Sequence, residues 1–170
     1  MAEPSARFYT FEEMLDEKGY IVYTNVGTSM MPLLRQRRDI IEIRKKPPGR
    51  CKKYDVVLYK VGGKYILHRI IQVRDKDYVI VGDHNIWREW GITDSQILGV
   101  MTRVIRNGKS ITPDNLLYRF YVHLWVDLYP LRAAILYGKR LIRGAASRLL
   151  RPLRKKKQQP ASDKGPTDVG

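Results

Sequence analysis

Apolar and polar positions change their period several times along this chain, and each change marks an element. Thr10 and Glu13 stand at capping-box spacing, and Phe11, Met14 and Leu15 share one face of the short helix they would open, with Gly19 ending it. From Tyr20 to Val26 the residues turn β-branched and aromatic, which predicts a strand. Further strands are predicted over Ile40 to Arg44, Tyr54 to Lys60, Lys64 to Val73, Tyr78 to Val81 and Ile97 to Ile105. Turn signals accompany them at Pro47-Pro48-Gly49, Gly62-Gly63, Asp75-Lys76-Asp77 and Asn107-Gly108. Short strands at this spacing predict a mainly β fold, an antiparallel and partly closed domain.

After Pro113 the pattern changes again. Leu116 to Tyr137 is rich in Leu, Tyr, Val and Trp, yet Arg119, Asp127 and Arg132 interrupt it. Each Asp or Arg at the centre of a bilayer-spanning helix costs about 2.5–3.5 kcal/mol, so an interfacial helix is expected rather than a span. On a helical wheel from Leu131, the side chains of Leu131, Ala134, Ile135, Leu141, Ile142, Ala145 and Leu149 gather on one side. Arg132, Lys139, Arg140 and Arg143 gather on another. That is the pattern of a basic amphipathic helix on anionic lipid. Residues 1–112 are therefore expected to form the β-domain, 113–157 a membrane-associating segment and 158–170 a disordered tail.

Charge sharpens this division. The net charge is +15, and residues 111–157 hold eleven Lys and Arg against two Asp, so an anionic partner is expected there. The apolar face that shares this segment favours an anionic membrane surface over nucleic acid, which is not an expected partner. A non-catalytic β-module using the same segment to bind nucleic acid or a protein is the competing reading. No apolar run follows the N-terminal residues, so neither a cleavable signal nor an anchor is expected there. A membrane-anchored partner could supply one. The single cysteine, Cys51, excludes an intramolecular disulfide framework and a multi-cysteine zinc site.

The candidate chemistry lies in three short runs. Ser29 sits in Gly27-Thr28-Ser29-Met30-Met31-Pro32, His68 in His68-Arg69-Ile70-Ile71, and a third run reads Gly82-Asp83-His84-Asn85. A serine nucleophile needs a base within hydrogen-bond reach and a group that orients that base. Alternation along Ile66 to Ile71 sends His68 to the apolar face of Ile66 and Ile70, where burial keeps an imidazole neutral and able to accept a proton. The tight hairpin predicted at Gly62-Gly63 would support that strand. Asp83 and Glu89 are both candidates for the orienting acid.

In their order, the three runs resemble the type I signal peptidase and LexA serine-peptidase superfamily, over about residues 27–104. His68 in the second run resembles its Ser-His branch, found in endoplasmic reticulum, archaea and Gram-positive sporulation. The resemblance implies a membrane-associated serine endopeptidase that cleaves signal or leader peptides after small residues, with the substrate extended beside a strand. It implies Ser29 as nucleophile, His68 as base, Asp83 or Glu89 as acid, and no metal or organic cofactor. Thr28 and Met31 flank the nucleophile and fall to oxyanion or substrate contact. Gly27 stands where many relatives carry an oxyanion-binding serine, which leaves that task to backbone N–H groups around Ser29.

Overall fold

In the computed structural model, residues 9–139, 141 and 142 are described. Helix α1 (Phe11–Lys18) opens with the capping box in full: the Thr10 hydroxyl accepts from the Glu13 N–H, and the Glu13 carboxylate accepts from the Thr10 N–H at 2.8 Å. Gly19 ends the helix at φ 75°, a left-handed conformation that a side chain would strain.

Eight strands follow: β1 (Tyr20–Thr24), β2 (Ile40–Lys45), β3 (Val56–Val61), β4 (Lys64–Val73), β5 (Tyr78–Val81), β6 (Glu89–Ile92), β7 (Ile97–Arg106) and β8 (Lys109–Ile111). All their pairings are antiparallel. The order is β1-β2-β7-β3-β4-β5-β6, with β8 paired to β7. The mainly β, antiparallel expectation holds. The partly closed arrangement does not: this is one open sheet with β1 and β6 as its ends.

Two strands escaped the sequence pattern. Strand β6, Glu-Trp-Gly-Ile, is too short to show alternation, and Gly91 within it sits at φ 77°. Strand β8 is three residues long and closes a hairpin through Asn107 and Gly108, both at positive φ. The Gly62-Gly63 hairpin joins β3 to β4 with Val61 opposite Lys64, as the glycines predict.

The sheet buries residues on both faces. One face packs Ile21, Ile41, Ile43, Val56, Leu58 and Leu67 with residues of α1. The other packs Val57, Tyr59, Ile70, Tyr78, Ile80 and Ile97 around Cys51. Cys51 is buried there, and burial pushes its thiol up to about 11, which leaves it an inert apolar filler.

Beyond the sheet lie α2 (Leu116–Val122) and a π-helical turn (His123–Asp127). Tyr118, Val122 and Val126 enter the same core as α1, so this segment is part of the unit that ends at Arg132. Its outer side is apolar as well: Leu116, Leu117, Phe120, Leu124 and Leu128 are exposed. A second compact unit begins at Ala133, and its residues 133–139, 141 and 142 are helical. Among the described residues, no helix is long and apolar enough to cross a membrane. The rest of the predicted amphipathic helix, including Ala145 and Leu149, and the predicted tail lie outside the described residues.

Candidate active site

Ser29 stands in a tight turn between β1 and β2, where the Met31 N–H donates to the Thr28 carbonyl at 3.1 Å and the Leu34 N–H to that of Met30 at 2.9 Å. Met30 is buried in the core and fixes the turn from below, while Ser29 and Met31 are half-buried and Thr28 is exposed. Gly27 enters the turn at φ 112° with open space around it, a conformation serine adopts only under strain. That is a local reason for glycine at the position.

His68 comes from β4, opposite Val57 of β3, on the face of Ile66 and Ile70. Its Nδ1 lies 2.7 Å from Glu89 Oε1. The Tyr59 hydroxyl of β3 lies 3.1 Å from the same Nδ1 and donates to Glu89 Oε2 at 2.7 Å. An ionised carboxylate only accepts, so Nδ1 carries the proton and Nε2 is left with a lone pair. Burial of the ring holds His68 below its ordinary value of 6.5 against the opposing pull of Glu89 and Asp83. A neutral imidazole with Nε2 unprotonated is the form a general base needs.

Gly82 brings the Ser29 turn and the His68 ring together. A Cβ built on it would lie 2.7 Å from the Ser29 carbonyl oxygen, 2.8 Å from Asn85 Nδ2 and 2.9 Å from His68 Nε2. Only a residue without a side chain lets these three groups share that space. The His84 N–H then donates to the Ser29 carbonyl at 2.7 Å and stitches the third run to the first.

Asp83 has a different task. Its carboxylate takes Arg69 Nε at 2.9 Å and Nη2 at 2.7 Å, and the Tyr121 hydroxyl at 2.9 Å. Both members of the pair are fully buried. Of the two candidate acids, the structure brings Glu89 to the imidazole and leaves Asp83 holding Arg69. The choice turns on β6, whose register sets Glu89 opposite Ile80.

Sequence reasoning missed Tyr59 and the aromatic face that grips this loop. The Tyr118 hydroxyl accepts from Arg69 Nη1 at 3.2 Å, and the Trp125 indole donates to the Asp83 carbonyl at 2.7 Å. The Tyr129 hydroxyl donates to the Ile86 carbonyl, and Arg132 Nη2 to that of Asn85 at 3.1 Å. The spacing of Tyr118, Tyr121, Trp125, Tyr129 and Arg132, three or four residues each time, was the available signal for one helical face.

A cleft of about 330 Å³ opens at Ser29, with Phe11, Tyr23, Val26, Tyr65 and Ile66 among its walls. Among the described residues, strand β1 pairs only with β2 in the sheet, so they leave its outer edge unpaired beside this cleft. An extended chain laid there would meet a strand edge and an apolar wall. The larger cavity, about 460 Å³ between Tyr54 and α2, touches none of Ser29, His68 and Glu89. No family model matches this chain, and no curated protein or solved structure is significantly similar to it.

Proposed function

We propose that the chain is a serine endopeptidase of the signal-peptidase and LexA type, with Ser29, His68 and Glu89 as its working set. The observation that carries the reading is the His68 ring, with Nδ1 2.7 Å from Glu89 Oε1 and Nε2 beside the Ser29 turn over Gly82. Ser29 Oγ attacks the scissile carbonyl while His68 Nε2 takes its proton. The imidazolium then returns that proton to the leaving amine, and water repeats the sequence on the acyl-enzyme. Glu89 stabilises the imidazolium and keeps the ring oriented. The backbone N–H of Ser29 is the candidate oxyanion donor, with Gly27 giving the turn its shape. The substrate is an extended signal or leader peptide with small residues before the cut, held in the cleft beside β1.

Work at a membrane surface belongs to the same proposal. The exposed stripe Leu116, Leu117, Phe120, Leu124 and Leu128 supports it, as does the basic sequence that follows. Ser29→Ala and His68→Ala, assayed on a pre-protein or leader peptide, test the chemistry: both must abolish cleavage, and cleavage retained in either overturns it. Sedimentation with anionic vesicles against a gel shift on nucleic acid, at matched salt, tests the surface. Preference for nucleic acid together with no hydrolysis would favour a non-catalytic binding module.

A further inference from the structure

The proposed acid stands in an awkward place. Glu89 lies on the four-residue end strand β6, its side chain is 36% exposed, and the neighbouring Trp87 is 81% exposed. Immobilising a glutamate side chain costs more rotamer freedom than an ion pair open to water returns. Attraction to His68 alone does not hold such a carboxylate in one rotamer, least of all while the imidazole is neutral.

Tyr59 supplies what the end strand lacks. Its ring is fully buried, packed among Val57, Ile70 and Ile80, so the hydroxyl sits at a fixed point. From there it donates to Glu89 Oε2 at 2.7 Å, while Oε1 takes the His68 Nδ1 proton at 2.7 Å. Both oxygens are occupied, and rotation of the carboxylate would break two bonds at once. The Tyr59 oxygen, 3.1 Å from Nδ1, is a second acceptor for the ring proton.

We infer that Tyr59 is a positioning residue, which fixes the tautomer and orientation of His68 by gripping Glu89 from the core. The inference rests on the peptidase reading for its use in catalysis, but the grip itself is a property of the fold. Its logic is that a rigid phenol lends order to an exposed acid, so an end strand open to solvent can carry part of a precise site. Burial and the bond to Glu89 both push the phenol upward from its ordinary value, so it remains a proton donor at any pH where the site works.

The test is a pH titration of the imidazole by nitrogen-resolved NMR on the full chain, in the wild type, Tyr59→Phe, Glu89→Gln and the double variant. The groups facing the ring are Glu89 from β6, Tyr59 from β3 and Asp83 from the loop after β5, and only the first two are altered. In the wild type the Nδ1–H tautomer dominates at neutral pH. In Tyr59→Phe it gives way to a mixture, and the titration midpoint falls because the negative charge no longer stays at Nδ1.

The rate of acylation of Ser29 by a serine-directed β-lactam falls at least about tenfold in Tyr59→Phe, and the same substitution adds nothing once Glu89 is Gln. An unchanged tautomer and midpoint in Tyr59→Phe, or full additivity in the double variant, overturns the inference. A wild type that neither acylates nor cleaves, while its tautomer still responds to Tyr59→Phe, sinks the peptidase reading and leaves the grip standing. A readout that leaves the Tyr59 side chain in place guards against loss of the core: the Tyr59 Cζ carbon shift must move on Glu89→Gln, and a static shift counts against the grip.

Discussion

His68 and Arg69 are neighbours on β4, and each is bound to a carboxylate, yet the two pairs differ in almost every respect. Arg69 and Asp83 lie fully buried, bidentate, with Tyr118 and Tyr121 closing around them. Burial works against the guanidinium charge, but Asp83 and Tyr118 more than compensate and raise Arg69 above its ordinary value, so the guanidinium stays charged. His68 meets a half-exposed glutamate, and burial tips its ring to the neutral form. One pair is a permanent fixture; the other, in the proposed mechanism, carries a proton. The alternation of a strand separates them: one residue's step moves the side chain from the face that packs Ile70 to the face that packs Tyr118. The stronger and more buried ion pair is therefore the wrong place to look for acid–base chemistry, because a group that never changes charge cannot pass a proton.

Substitutions can break this contrast at several points. Ser29→Ala should have the largest effect on activity, a loss of about 10³-fold or more in turnover with the melting temperature unchanged. Asp83→Ala should cost about 3–5 kcal/mol of stability in denaturant titration, since Arg69 would be left buried without its partner. Glu89→Gln should behave oppositely, with stability altered by no more than about 1 kcal/mol and turnover reduced about a hundredfold. If instead Asp83→Asn reduces turnover in a fully stable protein while Glu89→Gln leaves it intact, the roles assigned to the two acids are reversed.

Gly82→Ala should lower turnover about tenfold in a folded protein, because its methyl group pushes the Ser29 turn away from His68. The smallest effect lies in pH. The proposed mechanism requires neutral His68, so activity should fall as pH drops through the ring's folded value. That value is below 6.5, so the acid limb should lie below pH 6.5. Glu89 raises the ring's value, so Glu89→Gln should move the limb lower still. An acid limb above pH 6.5 would contradict a ring dominated by burial.

Much of this was legible in the sequence for physical reasons. The capping box around α1, the glycine hairpin before β4 and the alternation that points His68 inward are local patterns, and the structure keeps all three. Ser29 and His68 stood in recognisable runs. The choice of acid was not legible, because it depends on the register of β6, a strand too short to announce itself. Tyr59 was hidden for the opposite reason: it sits in a run, Val56-Val57-Leu58-Tyr59, that reads as ordinary core, and nothing local shows that its hydroxyl reaches residues nine and thirty positions away. The segment after Pro113 reads as interfacial from its leucines. Its inward side is visible only as a spacing of Tyr and Trp, whose partners the sequence does not name.

The aromatic grip on the 82–86 loop also sets an order of events. Tyr121, Trp125 and Arg132 meet that loop from 38 to 47 residues further along the chain. On a growing polypeptide the serine turn and its histidine strand are both synthesised well before the residues that lock the loop against them. The site is therefore completed late, by a helical segment that shows leucines to the outside and hydroxyls to the inside. A site built this way stays incomplete until Tyr121, Trp125 and Arg132 have been made, well after Ser29 and His68.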